Sequence, residues 1–142
     1  MIYKATRLIK QEMDRQEFHY RIEEHDGKSV LIAGFGIDNG PSVQVLFISP
    51  DNDNDVSIRL FGIVNKVAEN KTGSILKAIN ECNNKFRYLK FTLDKDGDVN
   101  IEYDLPIKAD DRSVGAEACE IFSRIMHIAD EAYPVFMKAM WN

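Results

Sequence analysis

The chain has 142 residues and a net charge of −5, from 18 lysines and arginines against 23 aspartates and glutamates. This length predicts one domain, residues 1–142, with a single core that needs no disulfide. The acidic balance and the scattered basic residues argue against nucleic acid or an anionic membrane surface as the main partner.

Apolar residues at helical spacing predict a first helix over residues 3–15, and a period of two then predicts a strand over 18–23. The pair Asp26 and Gly27 suits the positive backbone angles of a tight hairpin turn. Three further strands are predicted near residues 29–35, 42–49 and 55–64. Their connections are too short for crossovers, so we expect neighbouring strands to be antiparallel.

Two of these strands carry apolar side chains in both phases of the alternation. Leu46 and Ile48 point to the face opposite Val45 and Phe47, because successive side chains of a strand alternate between faces. Strands of this composition are typical of sheets covered on both sides. We therefore expect both faces of these strands to be covered.

A second helix is predicted to open at Thr72, with Ser74 as its N-cap. A hairpin follows, with strands over residues 89–93 and 99–105, and Pro106 ends it. The last and longest helix begins at Ser113. Pro134 must kink or interrupt this helix, because proline lacks the N–H and its ring clashes with the preceding turn. The segment after Pro134 is unusually apolar for a terminus.

Two acidic stretches, "DNDND" at residues 51–55 and "DKDGD" at residues 94–98, pose a choice between a calcium loop and a turn. An EF-hand loop needs glycine at position 6 and glutamate at position 12. The first stretch has Val56 and Gly62 at these positions, and the second has Leu105 at position 12. Aspartate, asparagine and glycine are also common turn residues, so we interpret both stretches as turns.

The histidines and cysteines do not form a recognisable metal site. His19 and His25 are too far apart along one strand to share an ion, and His127 has the spacing of a helical ion pair with Glu131. Cys82 and Cys119 lack the close spacing of a zinc or redox pair. We expect two buried, reduced thiols and no metal.

The sequence contains no motif that predicts a reaction. There is no G-x-S-x-G, and the glycines in "AGFGIDNGP" lack the spacing of a nucleotide-binding turn. We interpret Gly34 and Gly36 as a bulge or a close strand contact. Cys119 has no base nearby in sequence. We therefore expect no catalytic residue and no cofactor; an enzyme without a recognisable motif is the remote alternative.

The element order α-β-β-β-β-α-β-β-α predicts an α+β fold, in which an antiparallel sheet of about six strands packs against helices. The stretches "ILKAINECNN", "YLKFTLDKDGDVNIEYDLP" and "DEAYPVFMKAMW" resemble the YbjN-like family, small bacterial proteins described as sensory transduction regulators. The resemblance implies a fold similar to that of type III secretion chaperones. It implies no catalytic residue.

We interpret the chain as a non-catalytic, cytoplasmic regulatory module that binds a protein or peptide, or a second copy of itself, through apolar surface. A small-ligand sensor with a pocket between sheet and helices is the alternative. If the terminal segment does not fold back into the core, we expect a homodimer, with no nucleic acid or membrane partner. The candidate partner or dimer surface consists of Leu46, Ile48, Phe136, Met137, Met140 and Trp141.

Overall fold

A computed structural model describes residues 2–50, 54–108 and 112–141. It confirms the α+β fold, with three helices and six strands in the predicted order. The elements are α1 (Lys4–Arg15), β1 (Arg21–His25), β2 (Lys28–Gly36), β3 (Ser42–Ser49), β4 (Asp55–Val64), a short 3₁₀ helix (Glu69–Lys71), α2 (Thr72–Lys85), β5 (Lys90–Leu93), β6 (Val99–Pro106) and α3 (Val114–Trp141).

The six strands form one antiparallel sheet in the order β1-β2-β3-β4-β6-β5. Asp26 (φ 49°) and Gly27 (φ 76°) both adopt positive angles, which confirms the tight turn between β1 and β2. Asn39 (φ 58°) lies in the next connection. β5 forms the far edge of the sheet. The chain passes through α2 and β5 first, and β6 then pairs between β5 and β4.

The helices pack in one layer against one face of the sheet, which we call the helix face. One side-chain row crosses five strands on this face through the pairs Ala33–Val45, Val45–Leu60, Leu60–Ile101 and Ile101–Phe91, and all five are buried. The apolar stripes of the three helices complete the core; they include Ala5, Ile9, Met13, Ile75, Ile79, Cys82, Ala118, Phe122, Ile125 and Phe136.

The opposite face, which we call the open face, is covered by no helix of the described residues. Val30, Ile32, Leu46 and Ile48 lie on it, and their neighbours on the same face are side chains of adjacent strands. The expectation that both faces are covered is therefore wrong for the described residues. Strands β2 and β3 carry apolar side chains on both faces, although the helices cover only one face.

Three hydroxyl groups anchor α1 to the sheet inside the core. The Oγ1 of Thr6 lies 2.7 Å from Ser29 Oγ and donates a hydrogen bond of 2.9 Å to Ser49 Oγ. All three residues are fully buried, and Ser29 and Ser49 pair across β2 and β3. Because each hydroxyl has a buried partner, the cluster avoids the desolvation cost of an unpaired polar group.

Of the two interpretations of Gly34 and Gly36, the bulge is wrong and the close strand contact holds for Gly34. Gly34 and Gly36 pair regularly with Gln44 and Ser42, and the bulge lies instead at Gly62 (φ 73°), between Leu60 and Val64 of β4. A Cβ on Gly34 would lie 3.3 Å from the Val43 carbonyl oxygen, so the close-contact interpretation does fit Gly34.

Helix α2 begins at Thr72, directly after the 3₁₀ helix, so Ser74 lies inside the first turn and is not the N-cap. The sequence predicted a kink or an interruption at Pro134; helix α3 continues through Pro134 to Trp141, so the interruption is wrong.

The stretch at residues 94–98 is a hairpin turn, as predicted. Asp94 Oδ1 accepts hydrogen bonds from the backbone N–H groups of Asp96 (2.9 Å) and Asp98 (3.0 Å), and Asn100 Nδ2 donates to Asp94 Oδ2 (2.9 Å). The bond from Asn100 and the two backbone bonds hold the pKa of Asp94 below its usual value. Gly97 has φ 83°. The other acidic stretch, residues 51–55, lies largely outside the described residues, because residues 51–53 are not among them.

The β5 edge of the sheet is capped by a side chain of α2. Asn83 Oδ1 accepts the backbone N–H of Phe91 (2.7 Å), and Asn83 Nδ2 donates to the Phe91 carbonyl (3.1 Å). The N–H and C=O of one strand residue point to the same side in an antiparallel sheet. The amide of Asn83 therefore occupies the place of one residue of a further strand.

Candidate functional site: the open face

An apolar strip runs along the middle of the open face. We use this name for Val30, Ile32, Leu46 and Ile48, which pair as Val30–Ile48 and Ile32–Leu46 across β2 and β3. Val30 and Ile32 are nearly buried by their neighbours, and Leu46 and Ile48 are half-buried. Within the strip, the surface that a partner could contact therefore belongs to Leu46 and Ile48, since Val30 and Ile32 are buried.

Charged side chains border the apolar strip on the β1 side. Arg21 Nε lies 2.7 Å from Glu23 Oε2, and His25 Nε2 lies 2.6 Å from Glu23 Oε1. These two partners, Arg21 first, hold the pKa of Glu23 below its usual value. The carboxylate therefore stays ionised and paired at neutral pH.

A second border lies on the β4, β6 and β5 side. Arg59 Nη2 forms an ion pair of 2.7 Å with Asp104, and Arg59 Nε lies 3.7 Å from Glu102. Glu102 also accepts a hydrogen bond of 2.8 Å from Thr92 Oγ1 and lies 3.7 Å from Lys90 Nζ. The charged side chains of both borders are thus paired within the chain. The apolar strip lies between these two borders.

A groove lies at one end of the strip, above two glycines. Gly34 and Gly36 of β2, Gln44 of β3 and Phe61 of β4 line a cavity of about 830 Å³, and we call it the glycine groove. Phe61 is 54% exposed beside it. A Cβ added to Gly36 would meet no atom of the described residues within 4 Å. The missing side chains thus leave a depression next to an exposed aromatic ring.

The bulge in β4 fixes the position of Phe61. Leu60 is buried on the helix face, so the next residue points to the open face. Gly62 then takes a positive φ, and its N–H donates a hydrogen bond of 2.8 Å to the buried Oδ1 of Asn100. A Cβ on Gly62 would overlap the side chain of Asn65, and the positive φ of this turn favours glycine.

The structure does not bring the predicted surface residues together. Leu46 and Ile48 lie on the open face, whereas the rest belong to α3 on the helix face. Phe136 is fully buried, with its ring centroid 5.7 Å from that of Phe91, so it belongs to the core. Met137 and Met140 are half-buried against that core, and Trp141 is 77% exposed.

Sequence reasoning missed Phe61 and the groove. The alternation of β4 places Phe61 on the same face as Ser57 and Arg59, and this signal was present in the sequence. The sequence did not show that Phe61 lies beside Gly34 and Gly36, because this arrangement depends on the register between β2, β3 and β4.

Both cysteines of the chain are buried in the core. Burial raises the pKa of Cys82 and Cys119 to about 11, so both thiols stay protonated at neutral pH. His127 lies 4.0 Å from Glu131, as its spacing predicted. The described residues contain no group of three or more His, Cys, Asp or Glu side chains that could hold a metal ion.

A smaller cavity of about 360 Å³ lies between the sheet and α3. Tyr88, Tyr103 and Leu105 line one side, and Ile121 and Arg124 of α3 line the other. The Arg124 guanidinium lies 5.0 Å from the centroid of the Tyr88 ring, a cation–π geometry. Its volume lies at the low end of the range of small-molecule sites.

The sequence matches one protein-family model over residues 7–136, the YbjN family, described as "Putative bacterial sensory transduction regulator". A comparison with curated proteins finds no significant match. Within the part of the chain that the structure describes, no helix is both long and apolar enough to cross a membrane.

Proposed function

Because this chain belongs to the YbjN family, we propose that it is a non-catalytic regulatory module that binds a protein partner through the open face of its sheet. The family description supports a regulatory role. The mode of binding is inferred from the geometry of the face alone. Its mechanism is surface complementarity, in which an apolar strip is buried and the charged borders set the orientation.

One observation carries this proposal: the apolar strip and Phe61 lie together on a face that no helix of the described residues covers. An apolar patch bordered by polar groups on a folded domain usually marks an interaction site. The borders add specificity, because their ion pairs are already formed and a partner must match them.

The test compares two lysine substitutions in affinity capture from the native host. Leu46→Lys places a charge in the centre of the strip, and we expect it to lose a protein that the wild type captures. Leu76→Lys is the matched control, because Leu76 is 50% exposed on α2, away from the open face. Circular dichroism checks that both variants fold. Equal capture by both variants and the wild type contradicts the proposal.

The 360 Å³ cavity favours a second candidate function, a sensor of a small aromatic or anionic ligand. Arg124 and the Tyr88 ring offer a cation and a π face at one wall. A thermal-shift screen of host metabolites tests this function with Tyr88→Ala as the control. A ligand that raises the melting temperature of the wild type but not of Tyr88→Ala supports it; equal shifts contradict it.

A further inference from the structure

We propose that the cavity of about 360 Å³ between the sheet and α3 binds a small organic cation, an ammonium group that carries an apolar or aromatic body. The inference rests on the second candidate function, the sensor, and names the charge of its ligand. We call this site the tyrosine cavity. Four of its features favour a cation of this class: the charge of the lining, two tyrosine rings, an apolar floor and the strained backbone of Tyr88.

The charged side chains of the tyrosine cavity are negative in sum. Two carboxylates, Glu117 and Glu120, stand against one guanidinium, Arg124, so the lining carries a net charge of −1. Arg124 Nη2 lies 3.0 Å from Glu120 Oε1, so an anionic ligand must compete with a carboxylate of the chain itself. Glu117 accepts a hydrogen bond of 2.8 Å from the neutral hydroxyl of Ser113 and forms no ion pair with a described residue. The charge that still lacks an opposite partner is therefore negative.

Two nearby cations lie outside the lining of the cavity. Lys85 and Arg87 line a separate hollow further along α3. Glu120 and Arg124 line both the hollow and the cavity, so their ion pair forms the boundary between the two. The tyrosine cavity thus keeps a negative lining although basic side chains lie beyond this boundary.

Two tyrosine rings give the cavity a surface that attracts cations. Tyr88 and Tyr103 both line it. The face of an aromatic ring is negative and attracts a cation within about 6 Å of its centroid. The Tyr88 ring already does so within the chain, because the Arg124 guanidinium lies 5.0 Å from its centroid. A ligand ammonium can contact a ring face and donate an N–H to Glu117 at the same time, which an anion cannot do.

The floor of the cavity is apolar. Leu105 of β6 and Ile121 of α3 line it, and both side chains are buried in the core. Burying a hydrocarbon or aromatic body against them is favourable, whereas an inorganic ion gains nothing from this contact. The expected ligand is therefore an amine with an apolar body, small enough for a site at the low end of the size range.

A strained turn holds Tyr88 at the cavity. Its φ is 73°, and the Leu89 N–H donates a hydrogen bond of 2.9 Å to the Arg87 carbonyl, which closes a three-residue turn around Tyr88. Leu89 is buried, and the Phe86 ring lies 6.2 Å from the Phe91 ring, so both ends of the turn are anchored. Tyr88 itself is 58% exposed. Strain that the surrounding structure maintains is typical of ligand-binding positions.

Titration with three probes of similar shape tests the charge of the ligand. Phenylethylamine, phenylethanol and phenylacetate share an aromatic body and are positive, neutral and negative at neutral pH. Chemical-shift changes in NMR spectra of the wild-type chain give their dissociation constants. We expect phenylethylamine to bind about tenfold more tightly than phenylethanol, and phenylacetate to bind more weakly than either.

Two glutamine substitutions should reverse this preference. Glu117→Gln together with Glu120→Gln leaves Arg124 as the charged side chain of the lining, so the net charge changes from −1 to +1. The double variant should bind phenylacetate more tightly than phenylethylamine. Glu131→Gln is the matched control on α3, because Glu131 lines the separate hollow and not the cavity, and it should keep the wild-type preference. A merely structural role of Glu117 in the first turn of α3 would change the melting temperature and leave the preference unchanged.

Replacing Tyr88 with glycine separates binding from folding. Glycine adopts a positive φ without strain, so Tyr88→Gly should keep the fold, which circular dichroism checks. The variant lacks the ring, and we expect its dissociation constant for phenylethylamine to rise about fivefold.

Three results overturn the inference: tighter binding of phenylacetate than of phenylethylamine by the wild type, an unchanged preference in the double glutamine variant, or equal affinity of the wild type and Tyr88→Gly for phenylethylamine. If phenylacetate binds the wild type and is lost in Tyr88→Gly, the cation is excluded and the sensor function stands. If none of the three probes binds, the inference is overturned, and the thermal-shift screen of host metabolites decides the sensor function separately.

Discussion

Replacing Gly115 with alanine should separate two helices. Gly115 is the second residue of α3 and is buried against α1. An added Cβ would overlap the carbonyl oxygen of Leu8 and lie 3.1 Å from the Cβ of Glu12. A backbone carbonyl inside a helix cannot rotate away, so α1 and α3 must move apart. Overpacking of this kind costs about 1–3 kcal/mol.

Alanine also favours the helix over glycine by up to about 1 kcal/mol, which opposes the steric cost. Gly73→Ala measures that gain alone, because Gly73 is the second residue of α2 and its added Cβ would meet no atom of the described residues within 4 Å. We expect Gly73→Ala to be neutral or slightly stabilising. Gly115→Ala should be less stable than Gly73→Ala by about 1–3 kcal/mol, which is the steric cost alone.

Urea unfolding followed by circular dichroism gives both free energies, and equal m-values show that the unfolded states are comparable. In a thermal melt, each kcal/mol corresponds to about 3–4 °C for a chain of this size, so Gly115→Ala should melt about 3–12 °C below Gly73→Ala. Equal stability of the two variants would refute the close helix contact.

Three further predictions concern the turn at residues 94–98. Gly97→Val should lower the free energy of unfolding by about 1–3 kcal/mol, because the φ of 83° at this position strains a β-branched residue. Gly97→Asn should lower it less. Equal losses for the two variants in urea unfolding would contradict this reason. Asp94 stabilises the fold fully above its unfolded pKa near 3.9 and loses this contribution as pH falls through its lower folded pKa. Asp94→Asn should therefore flatten the acid limb of stability against pH, and an unchanged limb would count against the assigned bonds. Millimolar calcium should leave the melting temperature unchanged, because Asp94 is already engaged by N–H donors; a rise of several degrees would indicate a bound ion.

Much of the fold follows from local periodicity. The observed bounds of β3 and β4 are those that the sequence predicts, because alternating apolar residues and turn residues mark both ends. The misses occur where a distant contact decides. Residues 18–20 continue the alternation of β1, yet the strand begins at Arg21. Phe18 instead packs edge-on against Phe122, with ring centroids 5.3 Å apart.

The candidate site was predictable only in part, for a physical reason. Alternation shows that Leu46 and Ile48 share a face, but it does not show on which face the helices pack. That choice depends on the packing of three helix stripes against the sheet, which is a non-local property. The same limit explains why Phe136 was counted as surface: the sequence does not show that α3 continues past Pro134 and returns to Phe91.

The cap that Asn83 places on β5 affects how molecules can aggregate. Open-ended fibres that grow by strand addition need two competent edges on every molecule, one to receive and one to offer. Asn83 already satisfies the outward N–H and C=O groups of Phe91, so the middle of this edge cannot template another strand. A molecule that joined the β1 edge would end the growing fibre instead of extending it.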